Sequence, residues 1–183
     1  MKPNDKALFY KYLSKATFYF EYGSGGSTYQ ASLNDNIQKI YTVESDLTWL
    51  TKLKQNIKSL DKISFIYCDM KTRPRTYGNP GKNSTVEEWK NYSNQILSVS
   101  QPIDLILIDG RFRTACCLKC HSCINEDCII AFDDFLNRPH YHEVLKYFYI
   151  VDKTQDNRMV FLKKIPDTSV DISLINKYEL ISQ

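Results

Sequence analysis

A glycine-rich turn between an apolar run and a serine–threonine pair is the part of this sequence best suited to chemistry. The run of residues 16–20 ends at Glu21, and Tyr22-Gly-Ser-Gly-Gly leads into Ser27 and Thr28. Glycine has no side chain, so the backbone of such a turn can lie directly against a ligand. Ser27 or Thr28 can cap the helix that follows. The order strand, acid, turn and helix predicts a nucleotide-like ligand at the carboxyl edge of an open α/β sheet.

A second acid lies at the end of the next apolar run, where residues 40–43 lead into Glu44. A carboxylate at the end of a second strand is placed to accept hydrogen bonds from both hydroxyls of a ribose. The glycine turn is not a phosphate-binding P-loop, because no Gly-Lys-Ser/Thr follows it, and it is not a full Gly-x-Gly-x-x-Gly fingerprint. The prediction of a nucleotide-like ligand therefore depends on the two acids, Glu21 before the turn and Glu44 at the end of the next strand.

The elements that position these residues can be predicted from apolar runs and from turn residues. The predicted strands are residues 17–21, 40–44, 63–69, 103–109 and 128–132, followed by a hairpin of 149–152 and 159–162. The predicted helices are one capped by Asn4 or Asp5, one capped by Asp46, and residues 27–34, 86–99, 114–124 and 140–148. Residues 70–85 are expected to be irregular, and the tail after Ile165 to lie along the surface. The chain, 1–183, is thus predicted to be one α/β domain with a mostly parallel sheet and a C-terminal antiparallel hairpin.

The two acid-bearing segments resemble known motifs. Glu21-Tyr-Gly-Ser-Gly-Gly is similar to the first motif, and Val43-Glu44-Ser-Asp to the second, of class I S-adenosylmethionine-dependent methyltransferases. The resemblance implies a Rossmann-like methyltransferase fold in which the turn approaches the methionine part of the donor and Glu44 holds the ribose. It also implies that Asp69 or Met70 lies beside the adenine. The cofactor-binding residues expected on this basis are Glu21, Tyr22, Gly23, Ser24, Gly25, Ser27, Thr28, Glu44, Ser45, Asp69, Met70 and Asp109.

A third motif, Asp109-Gly-Arg-Phe-Arg113, follows the most apolar predicted strand. Arginine suits planar or anionic groups because its fork donates two parallel hydrogen bonds. An alternative is that Asp109 pairs with one arginine and only fixes the loop. Together with Asn137-Arg-Pro-His-Tyr141, this motif resembles a small methyltransferase-like family that carries Asp-Gly-Arg-Phe-Arg and Asn-Arg-Pro-x-Tyr, over about residues 8–163. That resemblance implies no particular substrate.

Three acids at neighbouring strand ends, Asp109, Asp133 and Asp134, suggest a magnesium site, because Mg²⁺ prefers oxygen ligands. Macrocin-type sugar O-methyltransferases look similar here, and in them the metal orients two sugar hydroxyls and lowers the pKa of one. The sequence departs from that pattern by placing Arg111 and Arg113 directly after Asp109, where they compete with a cation.

A base for an acceptor hydroxyl is expected at His140 or Asp109. Neutral histidine suits this role, and His140 is favoured over His142 because it lies nearer to a strand end, although either can be a surface residue. Arg111, Arg113 and Arg138 are expected to hold the acceptor. The predicted catalytic residues are therefore Asp109, His140, Arg111, Arg113 and Arg138.

Six cysteines include the spacing Cys117-x-x-Cys120-x-x-Cys123, which allows a zinc site. They fall mainly on a predicted helix between core strands, where buried cysteine acts as a small apolar residue. Burial is the favoured interpretation, since a second ligand pair is missing.

Composition limits the classes of function. The net charge of +3 does not indicate a nucleic-acid partner, and no apolar run approaches the length of about 20 residues that spans a bilayer. The N-terminus lacks a signal-peptide core, so a cytoplasmic setting is expected. The chain is predicted to transfer the methyl group of S-adenosylmethionine to an oxygen of a small acceptor that is anionic, a sugar or a nucleotide sugar. The alternatives are a non-catalytic nucleoside-binding module and a different α/β enzyme that uses NAD, and a homodimer is left open.

Overall fold

A computed structural model describes residues 3–156 and 158–182 of the chain. The strands are β1 Phe18–Tyr22, β2 Lys39–Glu44, β3 Ile63–Tyr67, β4 Leu105–Ile108, β5 Ile129–Phe132, β6 Phe148–Lys153 and β7 Val160–Lys164. The α-helices are α1 Pro3–Leu13, α2 Gly26–Ser32, α3 Leu47–Asn56, α4 Val86–Asn94, α5 Arg113–Cys120 and α6 Ile172–Tyr178. Two 3₁₀ helices cover Gln95–Ser98 and Pro139–Lys146.

The strands form one sheet in the order β3-β2-β1-β4-β5-β7-β6. Strands β1 to β5 are parallel, and β7 runs antiparallel to both β5 and β6. The predicted mostly parallel sheet with a C-terminal antiparallel hairpin is confirmed. The direction of winding reverses between β1 and β4, and ligands bind at the carboxyl end of such a switch point.

Two apolar clusters cover the two faces of the sheet. Alternate residues of β4 divide between them, with Ile106 and Ile108 in one cluster and Leu105 and Leu107 in the other. All four side chains are buried. This explains why β4 is a continuous apolar run, since a strand covered on both sides has no polar face.

The predicted helices differ from the observed ones in detail. The segment 86–99 is α-helical only to Asn94 and continues as a 3₁₀ turn, and the segment from His140 is a 3₁₀ helix. Asp46 caps α3 as predicted, by accepting a hydrogen bond from the Trp49 N–H at 3.0 Å. Helix α1 already includes Asn4 and Asp5, and their predicted capping side chains lie outside the described residues.

The tail after Ile165 is more ordered than its sequence pattern predicts. It forms α6, which packs against α5 and buries Ile175 and Tyr178. The described helices are all too short to carry an apolar span across a membrane.

Candidate active site

A cavity of about 730 Å³ opens at the carboxyl edge of the sheet. Its walls come from the residues that follow β1, β2, β4 and β5 and from the irregular segment 74–78. An adjoining cavity of about 600 Å³ extends towards α1 and α2 and shares five lining residues with the first, Gly23, Ser24, Trp49, Lys52 and Asp109. The glycine turn therefore lies between two connected spaces.

Two glycines bring the turns after β1 and β4 into backbone contact. Gly23 has a φ of +93°, and a Cβ there would lie 2.9 Å from the Cα of Gly110. A Cβ on Gly110 would lie 2.0 Å from the hydroxyl oxygen of Tyr92. Glycine is required at both positions because no side chain fits between the two turns.

Glu21 lies beneath the turn and is fully buried. Its carboxylate accepts hydrogen bonds from the Tyr19 hydroxyl at 2.7 Å, the Ser27 hydroxyl at 2.6 Å and the Thr28 hydroxyl. Burial raises the pKa of Glu21, and these hydrogen bonds act in the opposite direction. The residue holds the turn and the start of α2 in place rather than facing the cavity. Helix α2 begins after an N-cap at Gly25, not at Ser27 or Thr28 as predicted.

Glu44 lines the cavity at the end of β2, where the sequence places it. One carboxylate oxygen accepts from the Ser24 N–H at 3.2 Å and the Ser24 hydroxyl at 2.9 Å, and the other accepts from the N–H groups of Ser45 at 2.7 Å and Asp46 at 2.8 Å. These four donors match the approximately four lone-pair sites of a carboxylate. A ligand hydroxyl that binds Glu44 must therefore displace the Ser24 hydroxyl.

The expected cofactor residues divide into two groups. Those that line the two cavities are Gly23, Ser24, Gly25, Ser27, Glu44, Ser45 and Asp109. Asp69 is not among the described lining residues, because its half-exposed carboxylate turns to Lys71 at 2.7 Å. Met70 and Tyr22 are fully buried in the core, and Tyr22 donates a hydrogen bond to the backbone oxygen of Ser93 at 2.7 Å. Thr28 is also buried, and it accepts the N–H of Gly25.

Asp109 lines both cavities beside Gly23. Burial raises the pKa of Asp109 to about 7, the Arg113 guanidinium opposes this rise, and the charge and hydrogen bond of Asp133 add to it. Burial also acts to raise the pKa of Asp133, but hydrogen bonds from Arg158 and Asp109 lower it overall. The pKa values of the two carboxyls are therefore driven apart, upwards for Asp109 and downwards for Asp133.

Arg113 braces the ends of β4 and β5 instead of facing an acceptor. Its side chain is only 5% exposed. Its Nε donates to the backbone oxygen of Gly110 at 3.0 Å, Nη1 to the backbone oxygen of Asp133 and to Asp134, and Nη2 to the backbone and carboxylate oxygens of Asp109. A guanidinium has five N–H donors, so Arg113 has none left for the acceptor it was expected to hold.

The predicted magnesium site at Asp109, Asp133 and Asp134 is not supported. Guanidinium groups lie where a cation would have to bind. Arg158 forms a fork with the Asp133 carboxylate at 3.2 and 3.1 Å and contacts Asp134 at 2.7 Å. Across residues 3–156 and 158–182, no group of three or more His, Cys, Asp or Glu side chains is arranged to hold a metal ion.

Arg158 is a site residue that sequence reasoning missed. It lies in the turn between β6 and β7, far along the chain from the other site residues. The only available signal was indirect, since the predicted hairpin returns an antiparallel strand to the sheet and so brings its turn to the carboxyl edge.

His140 does not reach the cavity. Its side chain is exposed, and its ring packs edge-on against the Tyr141 ring at 4.4 Å. His142 turns away as well, with Nε2 3.2 Å from the backbone oxygen of Phe135. Of the two predicted candidates for the base, Asp109 lines the cavity and His140 does not. Arg138 does line the cavity, and it donates to Asp134 at 3.0 Å and to the Tyr141 hydroxyl at 3.1 Å.

Four of the cysteines, Cys116, Cys117, Cys120 and Cys128, are free thiols buried in the core around α5, and Cys123 is exposed. Burial raises the pKa of each of the four buried thiols. A protonated thiol in the core packs as a small apolar group.

The fold is similar to that of several solved methyltransferases. A methyltransferase-like protein from Silicibacter pomeroyi matches with a TM-score of 0.83 and 21% identity over 100% of this chain and 96% of that chain. An rRNA methylase from Streptococcus thermophilus matches with a TM-score of 0.59 and 13% identity, covering 90% and 99% of the two chains. The N-methyltransferase NodS from Bradyrhizobium japonicum, in complex with S-adenosyl-L-homocysteine, matches with a TM-score of 0.59 and 11% identity, covering 91% and 89%.

No family model matches the chain, and no curated protein is similar to it in sequence. At these identities the likeness is one of fold. The α/β architecture, a seven-stranded sheet that ends in an antiparallel pair, matches Rossmann-like methyltransferase structures.

Proposed function

We propose that the protein is an S-adenosylmethionine-dependent methyltransferase that modifies an oxygen of a small acceptor, with sugars and nucleotide sugars as the first class to examine. The observation that carries this proposal is the position of Glu44. Its carboxylate lines the cavity at the end of β2, one hydrogen bond from the glycine turn at Ser24. That is where a nucleoside donor places its ribose in this architecture.

The residues around Asp109 support a proton acceptor. The bound donor would supply an electrophilic methyl group and leave as the neutral thioether S-adenosylhomocysteine. Asp109 takes the proton from the attacking hydroxyl when it is ionised, and a pKa of about 7 suits a base that works near neutral pH. Arg113 and Asp133 hold Asp109 in position. Alignment of the two reactants supplies most of the remaining rate.

The cytoplasmic setting, the single-domain organisation and a homodimer stay predictions from the sequence. A small-molecule acceptor is favoured because the cavity of about 730 Å³ has the size typical of small-molecule sites.

Calorimetric titration with S-adenosylhomocysteine tests the cofactor site. Glu44→Ala should weaken binding by at least about tenfold, because the ribose loses its carboxylate acceptor. Ser24→Ala should bind at least as tightly as the unmodified protein, because it removes the hydroxyl that a ribose must displace. Asp69→Asn is the matched control: it changes an acid that lies off the cavity, and its affinity should be unchanged.

Two results would remove the proposal. The first is that the unmodified protein does not bind S-adenosylhomocysteine. The second is binding that is equally strong in Glu44→Ala. Titration with NAD separates the nicotinamide alternative, which predicts affinity for that dinucleotide instead.

A further inference from the structure

Among the described residues, five arginines line the cavity. Arg113, Arg138 and Arg158 pair with carboxylates at the ends of β4 and β5, and Arg75 is exposed on the irregular segment. Within the described part of the chain, Arg111 makes one side-chain hydrogen bond, from Nη1 to the Asn79 Oδ1 at 3.1 Å, and forms no ion pair. Most of its donors are therefore not used by the protein.

Among the described residues, no carboxylate neutralises the positive charge of the Arg111 guanidinium. Its Nε is buried and has no hydrogen-bond partner among the described residues. Burial lowers the pKa of Arg111, and the positive charges of Arg113 and Arg138 add to this effect. A half-buried cation with an unpaired donor and cationic neighbours is a site that an anion would complete.

We infer that Arg111 binds an anionic group, a carboxylate or a phosphate, on the methyl acceptor. This inference rests on the proposed function and narrows the acceptor class. A guanidinium fork matches both kinds of anion with two parallel hydrogen bonds. Arg111 follows Asp109 by two residues and lines the same cavity. An acceptor held there by its anion has the rest of its structure in the space that Asp109 borders.

Asn79 occupies the place of that anion. Its oxygen is a neutral acceptor on an exposed turn, so an ionised oxygen can replace it with a stronger, charge-assisted hydrogen bond. The turn is held to the cavity by this bond and by the Ser45 hydroxyl, which donates to the Gly78 backbone oxygen at 3.1 Å. Arg75 and Tyr77 in this turn have φ values of 68° and 53°. Such conformations are unfavourable for residues other than glycine, so the turn depends on its surrounding contacts to keep them.

Nuclear magnetic resonance of the arginine Nε–Hε groups tests the inference on the full chain. ¹⁵N-labelled protein is titrated with inorganic phosphate and, in a separate series, with acetate, at constant ionic strength. The Arg111 signal, assigned by its loss in Arg111→Lys, should shift and saturate with a Kd of about millimolar order. Arg111→Gln should weaken binding by at least about tenfold, measured on the neighbouring amides. Asn79→Ala should tighten it by about twofold or more, since the competing acceptor is gone.

Arg73→Gln is the matched control. Arg73 lies on the same irregular segment as Asn79, is exposed and is not among the cavity residues. Its affinity for phosphate should be unchanged. The two anion series separate a phosphate-bearing acceptor from a carboxylate-bearing one.

Shifts that do not saturate with either anion overturn the inference, as does equal binding in Arg111→Gln. Asn79→Ala keeps the test decisive if Arg111→Gln fails to fold, because weaker binding in that variant also overturns it. Titration with S-adenosylhomocysteine distinguishes a failure of the anion site at Arg111 from a failure of the proposed function. Nucleoside binding without anion binding removes only the role of Arg111, whereas anion binding without nucleoside binding removes the assignment to a methyl acceptor.

Discussion

Asp109 and Asp133 are neighbouring carboxylates whose surroundings drive their pKa values apart. Arg158 forms a fork with Asp133 and keeps it ionised. Burial raises the pKa of Asp109 to about 7 against the effect of the Arg113 guanidinium, and the charge and hydrogen bond of Asp133 add to this rise. Two acids with separated pKa values are a common arrangement for proton transfer.

The charge of Asp133 should contribute to the raised pKa of Asp109. In Asp133→Asn the neighbouring negative charge is gone, so the pKa of Asp109 should fall clearly below about 7. Carboxyl ¹³C chemical shifts measured against pH follow this directly and need no acceptor. Glu143→Gln, at a distant surface ion pair, is the control and should leave the Asp109 midpoint unchanged.

The sign of the pH dependence of stability follows from the same pKa. The folded chain keeps the Asp109 proton to higher pH than the unfolded chain, whose aspartate pKa is about 3.9. This group therefore contributes stability at low pH that is lost as the pH rises through about 7. If the measured pKa of Asp109 were close to the ordinary aspartate value of about 3.9, both the effect of Asp133→Asn and this pH dependence of stability would be contradicted.

At the scale of elements, the site depends on how closely the turns after β1 and β4 approach each other. Gly23 and Gly110 meet backbone to backbone, and the buried ring of Tyr92 on α4 closes the contact from one side. The Tyr92 hydroxyl also accepts the Arg111 N–H at 3.4 Å. The position of Arg111 in the cavity is thus tied to the packing of α4.

Gly110→Ala should lower the free energy of unfolding by about 1–3 kcal/mol, because its Cβ would overlap the buried Tyr92 hydroxyl. In a Tyr92→Phe background the same change should cost clearly less. Gly26→Ala is the control: a Cβ there meets nothing within 4 Å, and alanine is the better helix former, so stability should be unchanged or slightly raised. Urea denaturation measures the free energy of unfolding of the unmodified protein, the three single variants and the Tyr92→Phe, Gly110→Ala double variant. An equal cost of Gly110→Ala with and without the Tyr92 hydroxyl would contradict this explanation.

Sequence patterns predicted the strands and the edge where the site lies, but they did not predict what each acid contacts. Apolar runs that end in acids are local features, and Glu44 and Asp109 were correctly expected at the cavity. Glu21 and Asp69 follow the same local rule, yet one is buried under the turn and the other pairs with Lys71. Those outcomes depend on side chains brought together by the fold, as does the fork between Arg158 and Asp133.

At the scale of the whole molecule, the C-terminal tail is tied to the core by a buried polar network. Lys119 on α5 donates to Glu179, just after α6, and to Ser93 and Asn94 at the end of α4. The Lys119 and Glu179 side chains are 9% and 3% exposed. The tail has a weak apolar pattern, so its sequence alone predicted a surface segment. The partner that fixes it lies 60 residues earlier in the chain.

Lys119→Met should lower the free energy of unfolding by about 3 kcal/mol, because the buried Glu179 carboxylate keeps only the more exposed Lys90, at 4.0 Å, as a cationic partner. Lys119→Met combined with Glu179→Leu should recover much of that loss, since an apolar pair replaces the ion pair. Lys146→Met is the matched control at an exposed pair with Glu143 and should cost no more than about 1 kcal/mol. Urea denaturation gives the free energies of unfolding of the unmodified protein and of these three variants for comparison. If the single and double variants were equally unstable, the loss would come from packing around α5, and the ion pair would not be what holds the tail to the core.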